Sequence, residues 1–165
     1  MKTRNNKQRI LYVCQAGLVA ALYTVLTCIV GAFDLASGAI QFRVSEALCV
    51  LPVFFPAAIP GLTVGCLISN LFMGSLWQDV VFGTLATLLG AIGAYSLRRA
   101  PFWLVPLPTV LANGLIVPPI LVYAYRIEGT LPLIALSVTL GELLSAGLLG
   151  SLLCLLLRRR RVFRG

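Results

Sequence analysis

Histidine is absent from the 165 residues, lysine occurs only as Lys2 and Lys7, and acidic residues number five. Each scarcity removes a class of function. Without histidine, no nucleophile–base pair can be read from the chain, so an enzyme is not expected. Neither lysine stands in a GxxxxGK[ST] string, so the loop that cradles nucleotide phosphates is missing. Five cysteines (Cys14, Cys28, Cys49, Cys66, Cys154) are scattered through apolar sequence with no CxxC pair. They read as buried small hydrophobes rather than a metal site or a disulfide framework. Charged residues make up 11% of the chain, against about 25% in soluble domains.

What fills the chain is apolar side chains, 59% by count, with a mean hydropathy of +0.99. That composition predicts an all-α integral membrane protein, with residues 1–165 forming one transmembrane domain. The net charge of +8 is not spread as a nucleic-acid surface would spread it. Lys2, Arg4, Lys7 and Arg9 precede the first apolar run, Arg98 and Arg99 interrupt the middle, and Arg158, Arg159, Arg160, Arg161 and Arg164 close the chain. This is topological charge, and nucleic acid is not an expected partner. The first run is too long for a signal peptide and reads as an uncleaved helix.

Apolar runs and proline breaks predict helices over about 10–32, 46–56, 58–74, 78–98, 101–125 and 130–157. Cationic ends face the cytoplasm, so an even number of crossings must separate them. The expectation is a six-helix bundle with cytoplasmic N- and C-termini. The second segment is the short one and could be re-entrant. No internal repeat is seen.

Glu142 lies inside an apolar run with only Thr, Ser and Gly as polar company. A charged residue at mid-membrane costs about 2.5–3.5 kcal/mol on insertion scales. Such a residue faces the protein interior and marks a function. At a rise of 1.5 Å per residue, Glu142 and Asn113 both approach the midplane, from antiparallel neighbours. A cavity lined by Asn70, Trp77, Asp79, Asn113 and Glu142 is expected to open outward, with Gln41, Arg43 and Glu46 available to lid it. Carboxylates accept from adjacent N–H groups, asparagine both donates and accepts, and an indole stacks; this suits a flat, nitrogen-rich ring. Blander readings stand beside it. Trp77 could be an interfacial anchor, the two asparagines could bond neighbouring helices, Arg43 and Glu46 could be a local pair, and Glu142 could cycle protons. Ala16, Gly17, Ala20 and Ala21 give the first helix a small-residue face, which serves either packing within the bundle or docking to a separate membrane subunit.

The strings GAIQFRVSEALCVL, PVFFPAAIPGLTVGCLISN and WQDVVFGTLATLLGA, with NGLIVPP and LGELL further on, resemble the QueT family. These are substrate-binding S components of energy-coupling factor (ECF) transporters for queuosine precursors. The resemblance runs from the first helix to the last, and the tandem Pro118–Pro119 departs from it. It implies a 7-deazaguanine base such as queuine as substrate, no cofactor or metal, and a multi-pass location in a prokaryotic plasma membrane. The partners it implies are a T component and two cytoplasmic ATPases, met through the face at Ala16, Gly17, Ala20 and Ala21. Substrate binding falls to Glu46, Asn70, Trp77, Asp79, Asn113 and Glu142, with Gln41, Phe42 and Arg43 in a covering loop. The alternatives are a stand-alone proton-coupled carrier for a polar heterocycle, an S component for another vitamin, and a membrane interaction protein without a ligand.

Overall fold

The computed structural model describes residues 2–32 and 43–160. Among them every regular element is helical. Helix α1 spans Lys2–Ala32, a 3-10 helix Val44–Val53, α2 Ala58–Phe72, α3 Trp77–Ser96, α4 Leu107–Tyr123 and α5 Leu131–Glu142. A π-helical stretch, Leu143–Gly150, then leads into α6, Ser151–Arg160. Three helical runs are long and apolar enough to cross a membrane: Asn6–Ala32, Trp77–Ser96 and Leu131–Arg159.

Packing contacts set the directions. Gly61 and Gly65 of α2 lie against the backbone of Ala16 and Ala20, so α1 and α2 run parallel. The 3-10 helix runs the other way, because Thr27 bonds Ser45 at 2.9 Å while Val19 shares a cluster with Leu51. Asn70 reaches Asp79 across the α2–α3 turn, Gly90 meets Thr109 across α3–α4, and Gly114 meets Thr139 across α4–α5. Each of these pairs is antiparallel. The start of α1 and the end of α6 therefore lie at one end of the bundle. The Arg158 guanidinium ties that end together by donating to the carbonyls of Ala100 (3.0 Å) and Arg98 (3.3 Å).

The 3-10 helix is the hub. Seven of its ten residues are buried. At about 2.0 Å of rise per residue, it covers about a third more length than the same residues in an α-helix. Two buried clusters are built on it. One joins Leu51 to Val19, Tyr23, Leu62, Cys66 and Ala91, and the other joins Cys49 and Val50 to Val105, Val110, Ala146 and Cys154. The last rod approaches it through small residues: Gly150 faces the Ala47 carbonyl and Cys49, and Ser145 and Ala146 are fully buried. A third cluster is small, Val117, Leu121 and Val138, and bridges only α4 and α5.

Short connections follow from local chemistry. The α2–α3 turn is closed by bonds from Gly74 N–H to Leu71 (3.2 Å) and from Ser75 N–H to Asn70 (3.0 Å). This paired pattern places its left-handed residue at Gly74, φ 67°, where a side chain would be strained. The bundle is apolar outside as well as in. Leu11, Leu18, Leu22, Val25 and Ile29 of α1 are all exposed, as are Leu85, Leu89, Leu111, Leu115, Leu144 and Leu148 elsewhere. So large an apolar exterior fits lipid rather than water. One sequence expectation is corrected here: Cys14 is exposed rather than buried. The helix expected over 101–125 begins later, at Leu107, and runs through Pro118 and Pro119 to Tyr123.

Candidate substrate site

The 3-10 helix turns once every three residues. Arg43, Glu46, Cys49 and Pro52 therefore fall on one line, and Glu46 is carried into the centre of the bundle, 1% exposed. There the Tyr23 hydroxyl of α1 donates to Glu46 Oε1. The Asn113 side chain of α4 comes within hydrogen-bonding reach of both Glu46 and Glu142. Glu142, at the end of α5, is 4% exposed, and its Oε2 has no hydrogen-bond partner. Arg43, Asn113, Val117, Val138 and Glu142 line a cavity of about 10 Å³. That is room for about one water. Glu142 thus turns into the bundle, toward a small void.

Asp79 belongs to a neighbouring network. Its Oδ2 accepts from the Tyr125 hydroxyl at 3.2 Å and lies 3.8 Å from Arg43 Nη2. Tyr125 in turn accepts from the Leu76 N–H at 3.1 Å. Asn70 donates to the Asp79 carbonyl at 3.4 Å. Arg43 is the link, because it lines the cavity and pairs with Asp79.

The predicted set therefore divides. Glu46, Asn113, Glu142 and Arg43 gather at one place. Asn70 and Asp79 are buried but brace the α2–α3 end and hold Arg43. Trp77 does not belong to the site, being 66% exposed. Two residues on a helix differ by about 200° of rotation, so burying Asp79 turns Trp77 outward. Gln41 and Phe42 lie outside the described residues. Glu46 is no lid residue, since the 3-10 helix that carries it is the core. Tyr23 and Tyr125 were missed. A phenol in the middle of an apolar helix needs a partner, and this could have flagged Tyr23.

The small face of α1 also divides. Ala20 is buried, and its carbonyl and that of Ala16 lie where Gly65 and Gly61 leave no room for a side chain. Both alanines pack against α2, Ala20 buried and Ala16 half-buried. Gly17 and Ala21 are exposed, and nothing lies within 4 Å of a side chain built at Gly17.

A second hollow, about 340 Å³, opens between α3 and α4 beside Phe82, Ile116, Pro119 and Tyr123. Its lining is mostly apolar, with polar groups only from Gln78 and Tyr123, and no charged side chain among the described residues faces it.

An inward-facing acid cluster inside a bundle with an apolar exterior is the geometry expected of a membrane protein. The QueT transporter family matches residues 13–159. The chain belongs to the QueT transporter family. It is 41% identical over 90 residues to the queuosine precursor transporter QueT of Lactococcus lactis subsp. cremoris (strain MG1363). The aligned stretch covers 52% of this chain and 53% of that protein, so the match spans about half the length of the curated relative. No solved structure matches the chain. That family is one of transporters.

Proposed function

We propose that this QueT-family chain is the substrate-binding S component of an ECF transporter, and that it captures a queuosine precursor of the 7-deazaguanine class. The observation that carries the proposal is Glu142. It is a buried carboxylate, in a membrane bundle of this family, with one oxygen facing a cavity and no partner. Leaving such an atom unpaired costs about 1–3 kcal/mol or more. A guest presenting adjacent N–H groups repays that, and the rim of a deazaguanine does so. Glu142 and Glu46 read donors, Asn113 reads a donor and an acceptor, and Arg43 stands at the mouth.

The cavity is far below the roughly 300 Å³ at which ligand pockets begin. Binding therefore requires α4 and α5 to part. The small Val117–Leu121–Val138 cluster between them is the natural place for it. Six crossings with both ends cytoplasmic follow from the alternating directions and the basic ends. The 3-10 helix makes the short second crossing. Gly17 and Ala21 give α1 its open small-residue strip, the part of the expected face that is free to meet a T component. The two ATPases would supply the energy that this chain has no loop to harvest.

The test is calorimetry of the purified full chain against a panel of purine-like bases. A 7-deazaguanine should bind and adenine should not; a chain that binds neither is not a base carrier. Gly17→Leu with Ala21→Leu should abolish co-purification with a T component and its ATPases while leaving base affinity unchanged. Uptake into vesicles lacking any ATPase, driven by a pH gradient alone, would instead establish a stand-alone carrier.

A further inference from the structure

The end of the bundle where α6 closes against the turn after α3 carries cations with no acid beside them in sequence. Arg158, half-buried, donates to the carbonyls of Ala100 at 3.0 Å and Arg98 at 3.3 Å. Both partners are neutral. These bonds draw the last turn of α6 onto that turn and bring the exposed Arg98, Arg99 and Arg159 into one patch. Arg98 also finds only neutral partners: it lies over the Tyr95 ring, 4.6 Å from its centroid, and donates to the Tyr95 carbonyl at 3.4 Å. The five acids of the chain are Asp34, Glu46, Asp79, Glu128 and Glu142. None falls in the segments that build this patch, 95–107 and 151–160. Among the described residues the ion pair is that of Arg43 with Asp79, at the opposite end of α3.

Guanidinium groups gathered in this way repel one another, and salt screens them only in part where the surface beside them excludes water. Their N–H forks match the oxygens of a phosphate. The flanks of the patch are apolar. On α6, Leu152 and Leu156 stand four residues apart on one face, both exposed, and Arg159 follows within the next turn. On the other flank Trp103 and Leu107 are exposed, and an indole is favoured at the boundary between hydrocarbon and headgroups. A phosphate that carries apolar chains meets both features at once, with its anion among the guanidiniums and its chains along the leucines. A wholly water-soluble anion would use the charge and leave the flanks bare. We propose that this end of the bundle is a binding surface for anionic phospholipid, with the headgroup phosphate seated between the turn after α3 and the last turn of α6. Groups of about four to eight cations bordering a membrane helix attract such lipids. Here Arg158 fixes their arrangement. The surface is separate from the acid cluster and independent of what that cluster binds.

The test is native mass spectrometry of the purified full chain in detergent, offered equal amounts of phosphatidylglycerol and phosphatidylcholine. The anionic lipid should be retained at least about tenfold more strongly. In the combined variant Arg98→Gln, Arg99→Gln, Arg159→Gln, which keeps Arg158 and its ties, that preference should shrink to within about threefold. Arg126→Gln, at the opposite end of the bundle, should leave it unchanged. Glycerol phosphate has the anion without the chains and should not displace the lipid at equal concentration. Equal retention of the two lipids overturns the proposal, as does a full preference surviving in the combined variant. Displacement by glycerol phosphate overturns it in favour of a site for free phosphate. If the combined variant does not fold, the three single substitutions are measured instead; each should lower the preference, and an undiminished preference in all three overturns the proposal.

Discussion

Glu46, at 1% exposure, accepts a hydrogen bond from a phenol on another helix, which offsets part of the cost of burying its carboxyl group. Removing the Tyr23 hydroxyl while keeping its ring isolates the contact. Tyr23→Phe should cost about 1–3 kcal/mol, the penalty for leaving a buried acceptor unpaired, read as a lower melting temperature in detergent and as weaker base binding. An unchanged melting point and affinity would show that Glu46 does not depend on this donor. Trp77 gives the opposite expectation. It is exposed and lines neither cavity, so Trp77→Ala should leave base affinity within about twofold, a surface substitution being worth less than about 0.5 kcal/mol. Glu142 was legible in the sequence because a carboxylate amid hydrocarbon advertises itself. Tyr23 and Tyr125 were less so, because a tyrosine is apolar enough to pass as filling.

Between elements, the parallel contact of α1 with α2 is made by glycines. A side-chain carbon at Gly61 would sit 2.7 Å from the Ala16 carbonyl, and one at Gly65 would sit 2.8 Å from Tyr23 Cβ. Thr24 bonds across the same seam to the Gly65 carbonyl at 3.2 Å. Gly65→Val should therefore push Tyr23 away from Glu46. We expect a loss of about 1–3 kcal/mol from overpacking, and loss of base binding beyond what stability alone explains. Gly17→Val meets open space on the same helix and should leave the fold and base binding unchanged. Thermal unfolding of the two variants side by side distinguishes the buried strip from the free one. A melting temperature as low for Gly17→Val as for Gly65→Val would mean that the two strips are not distinct. The small-residue pattern was visible from spacing, but spacing could not say which half of it was already used.

At the scale of the molecule, six helical segments alternate in direction and the basic ends converge, with Arg158 bonding the loop at Arg98 and Ala100. Tags placed at the N- and C-termini should both be labelled by an impermeant reagent only after the cells are permeabilised. Labelling of one tag in intact cells would break the six-crossing reading. The sequence by itself determined that the chain is a helical membrane protein, that its cations cluster at its ends and middle, and that Glu142 stands inside a long apolar run. Each of these follows from transfer costs that every side chain incurs wherever it lies in the fold. Only the tertiary structure decided which polar groups meet. A three-residue turn aligns Arg43 with Glu46, a two-residue offset buries Asp79 while turning Trp77 outward, and the packing of α1 brings a phenol to a carboxylate. Those outcomes depend on helical phase and on which faces are covered by neighbours, and neither is written in the hydropathy of a single segment.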